Sequence, residues 1–131
     1  MVRKTCITIA QECDVARART LARQMALNLG FSTTLQTRIA TVVTELSRNI
    51  LLYAGTGSIF LEEIRTTRVG LQVVASDNGP GIENLAEIMS GEYDSKTGLG
   101  RGLFGTKVLV DEFSIWSEVG KGTRVTLTQY V

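Results

Sequence analysis

Val73-Val74-Ala75-Ser76-Asp77-Asn78-Gly79-Pro80-Gly81 runs from strand-forming apolar residues straight into a turn. Read alone, Asn, Gly and Pro form a plain loop. Asp77, however, sits at the mouth of a strand whose Val73, Val74 and Ala75 belong inside a core. A carboxylate there only accepts hydrogen bonds, so it suits an amino group on a flat ring, and the glycines let backbone approach that ring closely.

Working outward, Gly98-Leu99-Gly100-Arg101-Gly102-Leu103 lies downstream, its alternate glycines leading into a helix predicted to start near Leu103. Unhindered glycine amides at a helix N-terminus form an anion site, with a flexible linker as the alternative. The stretch does not follow a strand as a dinucleotide-binding turn must, and it lacks the Gly-Lys-Ser/Thr ending of a P-loop. Upstream, Thr44-Glu45-Leu46-Ser47-Arg48-Asn49-Ile50 puts Glu45 and Asn49 four apart on one helical face. Such a pair is common on solvated faces. It also supplies the hard oxygens that suit magnesium, which takes few protein ligands when phosphates provide the rest.

Around these three elements the pattern is that of one mixed domain. Thr5, Ile7 and Ile9 alternate as a short strand, and Asp14 is placed to cap a helix over 15–29 that Gly30 stops. Ser32, Thr33 and Thr34 offer caps for a second helix reaching about Tyr53, with Leu35, Ile39, Val42, Val43, Leu46 and Ile50 as its buried stripe and Gly55 at its end. Ser58–Ile64 and Gly70–Ser76 read as adjacent antiparallel strands joined through Arg65-Thr66-Thr67-Arg68. A long polar loop follows, holding a short helix near 85–89, and loops of that length in compact domains are usually functional. A helix over 103–111 and a strand pair around Gly120-Lys121-Gly122 complete the chain, without a repeat or interdomain linker.

Composition narrows the function. The 131 residues carry 14 basic and 13 acidic side chains, net +1, so no broad positive field is available for nucleic acid or an anionic membrane. Two cysteines and no histidine exclude a disulfide framework, a four-cysteine metal site and any histidine chemistry. The N-terminus lacks a signal-like apolar run and no stretch is long enough to span a bilayer, so a cytoplasmic location is expected.

The order of the three elements resembles the Bergerat-fold (GHKL) ATP-binding superfamily of histidine kinases and gyrase-like ATPases. Glu45–Asn49 resembles its N box, Asp77–Gly81 the first glycine box, Gly98–Gly102 the second, and Gly120-Lys121-Gly122-Thr123 the element that closes the pocket. The resemblance spans nearly the whole chain and is strongest to the small serine/threonine kinases that regulate bacterial sigma factors, among them the switch kinases of the stressosome. It implies an α+β two-layer sandwich, a mixed and mainly antiparallel sheet with helices on one face, over a single domain 1–131.

The resemblance also implies ATP and Mg²⁺ as cofactors. Asn49 would ligate the metal, Asp77 would bind adenine, Thr123 would support the adenine end, and Gly79, Gly81, Gly98, Gly100 and Gly102 would shape the pocket. Glu45 would be the general base, and 82–97 would form a lid over ATP. Arg101 has two readings, a phosphate contact and a solvent-facing side chain. The implied substrates are partner proteins with a small sulfate-transporter and anti-sigma-antagonist (STAS) domain. Phosphorylation would release the kinase, which would then activate a protein phosphatase of the PP2C type. Two alternatives stand beside it: an anti-sigma factor that binds a sigma factor directly, and a nucleotide-gated binding module.

Overall fold

The computed structural model describes residues 2–90 and 99–131. Strands β1 (Lys4–Ile9), β2 (Gly57–Arg65), β3 (Val69–Asp77), β4 (Glu112–Glu118) and β5 (Gly122–Tyr130) form one sheet in the order β1-β2-β3-β5-β4, every neighbouring pair antiparallel. Helices α1 (Glu12–Asn28), α2 (Thr33–Asn49), α3 (Leu85–Ser90) and α4 (Leu99–Leu109) complete the expected α+β layering.

The alternation of the strands sorts their side chains by face. Ile7, Ile59, Ala75, Val125 and Ile115 stand in one cross-strand row, and Leu61, Val73, Leu127 and Phe113 in the next. These rows share a core with Ala18, Ala22 and Met25 of α1 and with Ile39, Val42, Val43 and Leu46 of α2. Each large apolar side chain buried there contributes about 1.5–3 kcal/mol. The alternate positions Cys6, Phe60 and Trp116 are exposed on the other face of the sheet.

Three local expectations are corrected. Asp14 is not the N-cap of α1. Gln11 holds that position, and Asp14, one turn in, accepts from the Ala10 and Gln11 amides at 2.9 and 3.1 Å, the reciprocal half of a capping box. The second helix is α-helical only to Asn49, where Ile50–Ala54 widens into a π-helical turn closed by Gly55 N–H donating to Ile50 O at 2.8 Å. Helix α4 begins at Leu99, not near Leu103, so Gly100 and Gly102 lie in its first turns and not in a preceding loop.

The end of α1 is as expected. Gly30, at φ 92°, lets its own amide reach Leu27 O and the Phe31 amide reach Ala26 O, both at 3.0 Å. Ser32 then caps α2, its Oγ accepting from Leu35 N–H at 3.2 Å.

Candidate nucleotide site

At one end of the sheet the core face changes character. The last cross-strand row reads Ile9, Gly57, Asp77, Thr123, Ser117, so three polar residues follow two rows of apolar ones. Asp77 and Thr123 are direct partners across β3 and β5. They line a pocket with Leu46, Asn49, Ile50 and Tyr53 of the α2–π-turn segment, Ile82, and Leu103 of α4. The pocket is a cleft partly open to solvent. Apolar walls with a few convergent polar groups suit a flat heteroaromatic base.

Asp77 Oδ1 accepts from Gly79 N–H at 2.9 Å, leaving Oδ2 without a hydrogen bond from within the turn. The first glycine box is held by close backbone approach. A Cβ on Gly79 would lie 2.7 Å from Ala54 Cβ, so this residue packs on the π turn that follows the N box. Gly81, at φ 79°, passes against the backbone of Glu118 and Val119, and Gly120 N–H donates to Pro80 O at 2.8 Å. The loop after β3 is thereby tied to the β4–β5 turn.

At the other end of the pocket, Gly102 of α4 faces α2. A Cβ built on it would stand 3.0 Å from Glu45 Oε2, 3.8 Å from Asn49 Nδ2 and 4.0 Å from Asn49 Oδ1. The fold therefore brings Glu45, Asn49 and Gly102 together. Asn49 Nδ2 is buried without a hydrogen-bond partner among the described residues. A buried amide edge left so costs about 1–3 kcal/mol unless something binds it.

Asn49, Asp77, Gly81 and Thr123 thus line the pocket, Gly79 packs beside it on Ala54 and Asp77, Glu45 and Gly102 meet next to Asn49, and the backbone of Gly100 and Arg101 lies in the first turn of α4. Gly98, the Arg101 side chain and the 91–97 part of the expected lid lie outside the described residues. Sequence reasoning missed Ser117. Its Oγ accepts from Ile82 N–H at 2.8 Å and lies 3.0 Å from Gly122 O and 2.9 Å from Thr123 Oγ1. A serine in an alternating strand carries no signal of that role, which depends on cross-strand register.

Similarities to known proteins agree with this geometry. Residues 34–130 match the sequence family described as histidine kinase-, DNA gyrase B- and HSP90-like ATPases. The chain is 42% identical over 129 residues to the serine/threonine-protein kinase RsbT of Bacillus subtilis strain 168, covering 98% of this chain and 97% of that protein. It is 30% identical over 97 residues to the anti-sigma F factor of Clostridium perfringens strain SM101, covering 70% of this chain and 69% of that one. Among solved structures, the histidine kinase domain of the blue-light-activated kinase from Erythrobacter litoralis EL346 superposes with a TM-score of 0.56 at 19% identity. That superposition covers 89% of this chain and 59% of the other, and is a likeness of fold.

Proposed function

The chain belongs to the histidine kinase-, DNA gyrase B- and HSP90-like ATPase family, and from that premise we propose a single-domain switch kinase whose substrates are STAS-domain proteins of a bacterial stress-signalling assembly. It is an ATP-using serine/threonine kinase of sigma-factor signalling. The observation that carries the nucleotide part of this reading is the layout of the pocket. An acceptor pair, Asp77 and Thr123, stands at one end, and Glu45, Asn49 and Gly102 meet at the other. ATP laid along it would have its base at Asp77 and its phosphates at the start of α4.

The residues present fit Mg·ATP. No group of three or more Asp, Glu, Cys or His capable of holding a metal by itself occurs among the described residues. Magnesium bound with ATP needs no such group: Asn49 Oδ1 is a hard oxygen that would serve as a single protein ligand, and the unpartnered Nδ2 of the same amide would donate to a phosphate oxygen. Bound there, the ion would neutralise charge on the phosphates. Asp77 anchors the base, and the α4 amides face phosphate oxygens. Glu45 takes the proton from the acceptor Ser or Thr hydroxyl as its oxygen bonds to the γ-phosphorus and the bond to the β–γ bridging oxygen breaks, releasing ADP.

Phosphorylation separates kinase and substrate, and the freed kinase binds and activates a PP2C-type phosphatase in the cytoplasm. The full-length similarity to RsbT and the near-neutral charge support this reading. Among the described residues no helix is long and apolar enough to cross a membrane. The similarity to anti-sigma F factor favours a second reading, direct capture of a sigma factor.

The deciding experiment measures transfer of labelled γ-phosphate from Mg·ATP to a STAS partner. Glu45→Ala should bind ATP but transfer nothing, and Asn49→Ala should lose Mg-dependent binding and transfer together. Absence of transfer from wild type, with ATP and partner both bound, would leave a nucleotide-gated binding module. A sigma subunit retained in place of the STAS protein would establish the second reading.

A further inference from the structure

Ser117 of β4 stands directly across from Thr123 of β5, and Thr123 directly across from Asp77 of β3. Three contacts converge on the Ser117 hydroxyl, which has a single proton to give. The Ile82 amide only donates, so it gives its hydrogen to Ser117 Oγ. The Gly122 carbonyl only accepts, so it takes the Ser117 proton. The contact with Thr123 is then a hydrogen bond only if Thr123 donates. This is the one assignment that satisfies all three contacts, and it leaves the Thr123 oxygen offering only lone pairs elsewhere.

The Asp77 carboxylate also only accepts, and its Oδ1 is taken by Gly79 N–H. The polar end of the pocket therefore presents two neighbouring acceptors from these side chains. An amino group with two hydrogens matches that pair, whereas a keto oxygen meets lone pairs on both. A threonine hydroxyl free to rotate would not discriminate so well, because it could turn its proton toward the keto oxygen.

We propose that Ser117 is a positioning residue for base selectivity, holding the Thr123 hydroxyl as an acceptor beside Asp77. The proposal rests on the reading that this pocket binds ATP with its base at Asp77. Ser117 acts through Thr123, and through the Ile82 amide it also fixes the backbone that leaves the first glycine box.

The test compares dissociation constants of Mg·ATP and Mg·ITP, the latter carrying a keto oxygen in place of the amino group, by competition against a fluorescent ATP analogue. The ratio of the two constants does not depend on the folded fraction of a preparation, so partial destabilisation of a variant leaves it readable. In Ser117→Ala the preference for ATP should fall about tenfold, the equivalent of one hydrogen bond of about 1.4 kcal/mol. Ser117→Thr, which keeps the hydroxyl, should restore it. In a Thr123→Val background, Ser117→Ala should bring no further change. An unchanged ratio in Ser117→Ala, or a further fall in that background, overturns the proposal. Asp77→Asn separates the two levels. Selectivity lost there but kept in Ser117→Ala removes only the role of Ser117, and selectivity kept in both removes the base from Asp77 and the proposal with it.

Discussion

Gly102 stands where any side chain would press on the Glu45 carboxylate, its missing Cβ lying 3.0 Å from Glu45 Oε2. The contact crosses from α4 to α2 and joins two sequence elements that are more than fifty residues apart. Gly102→Ala is therefore expected to separate stability from activity. Alanine is the better helix former by up to about 1 kcal/mol, and the Glu45 carboxylate is the far end of a flexible side chain that can swing away. Tm should hold or rise slightly, while kcat for phosphate transfer falls about tenfold or more as the base leaves its place. Thermal melts and single-turnover transfer on the same preparation check this, and unchanged kcat would show that Glu45 needs no such space.

Gly122 is under a different constraint. Its φ is 131°, and a Cβ there would overlap the Asp77 carbonyl oxygen and lie 2.9 Å from Asn78 Cα. Backbone cannot swing aside as a side chain can, so Gly122→Ala combines overpacking with strain. A cost of about 1–3 kcal/mol corresponds to a fall in Tm of roughly 5–15 °C. Because the displaced atoms belong to Asp77 and Asn78, affinity for ATP should fall as well. A variant with wild-type Tm and affinity would contradict this packing.

Sequence and structure part company where tertiary contact outweighs local preference. The glycines of 98–102 suggest a loop, because glycine is the weakest ordinary helix former. Yet α4 starts at Leu99, and Gly102 within it meets α2, a contact no local rule contains. Asp14 is legible as a helix-start residue but not as N3 in place of N-cap, since a carboxylate three residues into a helix serves the same amides from the inside. The pairing of β3 with β5 joins residues distant in sequence. Glu45, Asn49, Asp77 and Thr123 can be nominated from sequence because residue type and order survive without coordinates. Ser117 cannot, because its role exists only in the register.

With the base at Asp77, as proposed, nucleotide choice should follow from that residue. Its carboxylate can accept from the amino group of adenine but would face the keto oxygen of guanine. A charge-assisted hydrogen bond is worth roughly 1.5–3 kcal/mol, so ATP should bind about one to two decades more tightly than GTP. Asp77→Asn keeps an oxygen for Gly79 N–H and adds an amide donor, so it should lower ATP affinity and narrow the gap to GTP. Calorimetric titration of both nucleotides decides, and equal affinity in wild type would remove Asp77 from base recognition.

Acid should unfold the protein through two carboxylates that do not line the pocket. The hydrogen bond from the Ala10 amide, joined by those from Gln11 and the charge of Arg17, holds Asp14 below the usual carboxylate range against the opposing effect of burial. For Glu63, buried at 4% exposure, burial pushes upward, but the hydrogen bond from Arg65 at 2.9 Å, the Arg3 backbone and the two arginine charges outweigh it and leave the group lowered. A depressed folded-state value means that the charged form stabilises the fold above the unfolded-state value, about 4 for such groups, and that this stability is lost as pH falls through the folded-state value. With no histidine in the chain, the urea midpoint should stay nearly level from pH 7 to about 5 and then drop below about pH 4. Asp14→Asn and Glu63→Gln should each lower the midpoint at pH 7 and flatten the acid limb, because the variant no longer has that proton to bind. A limb as steep in the double variant as in wild type would place the acid sensitivity on other carboxylates.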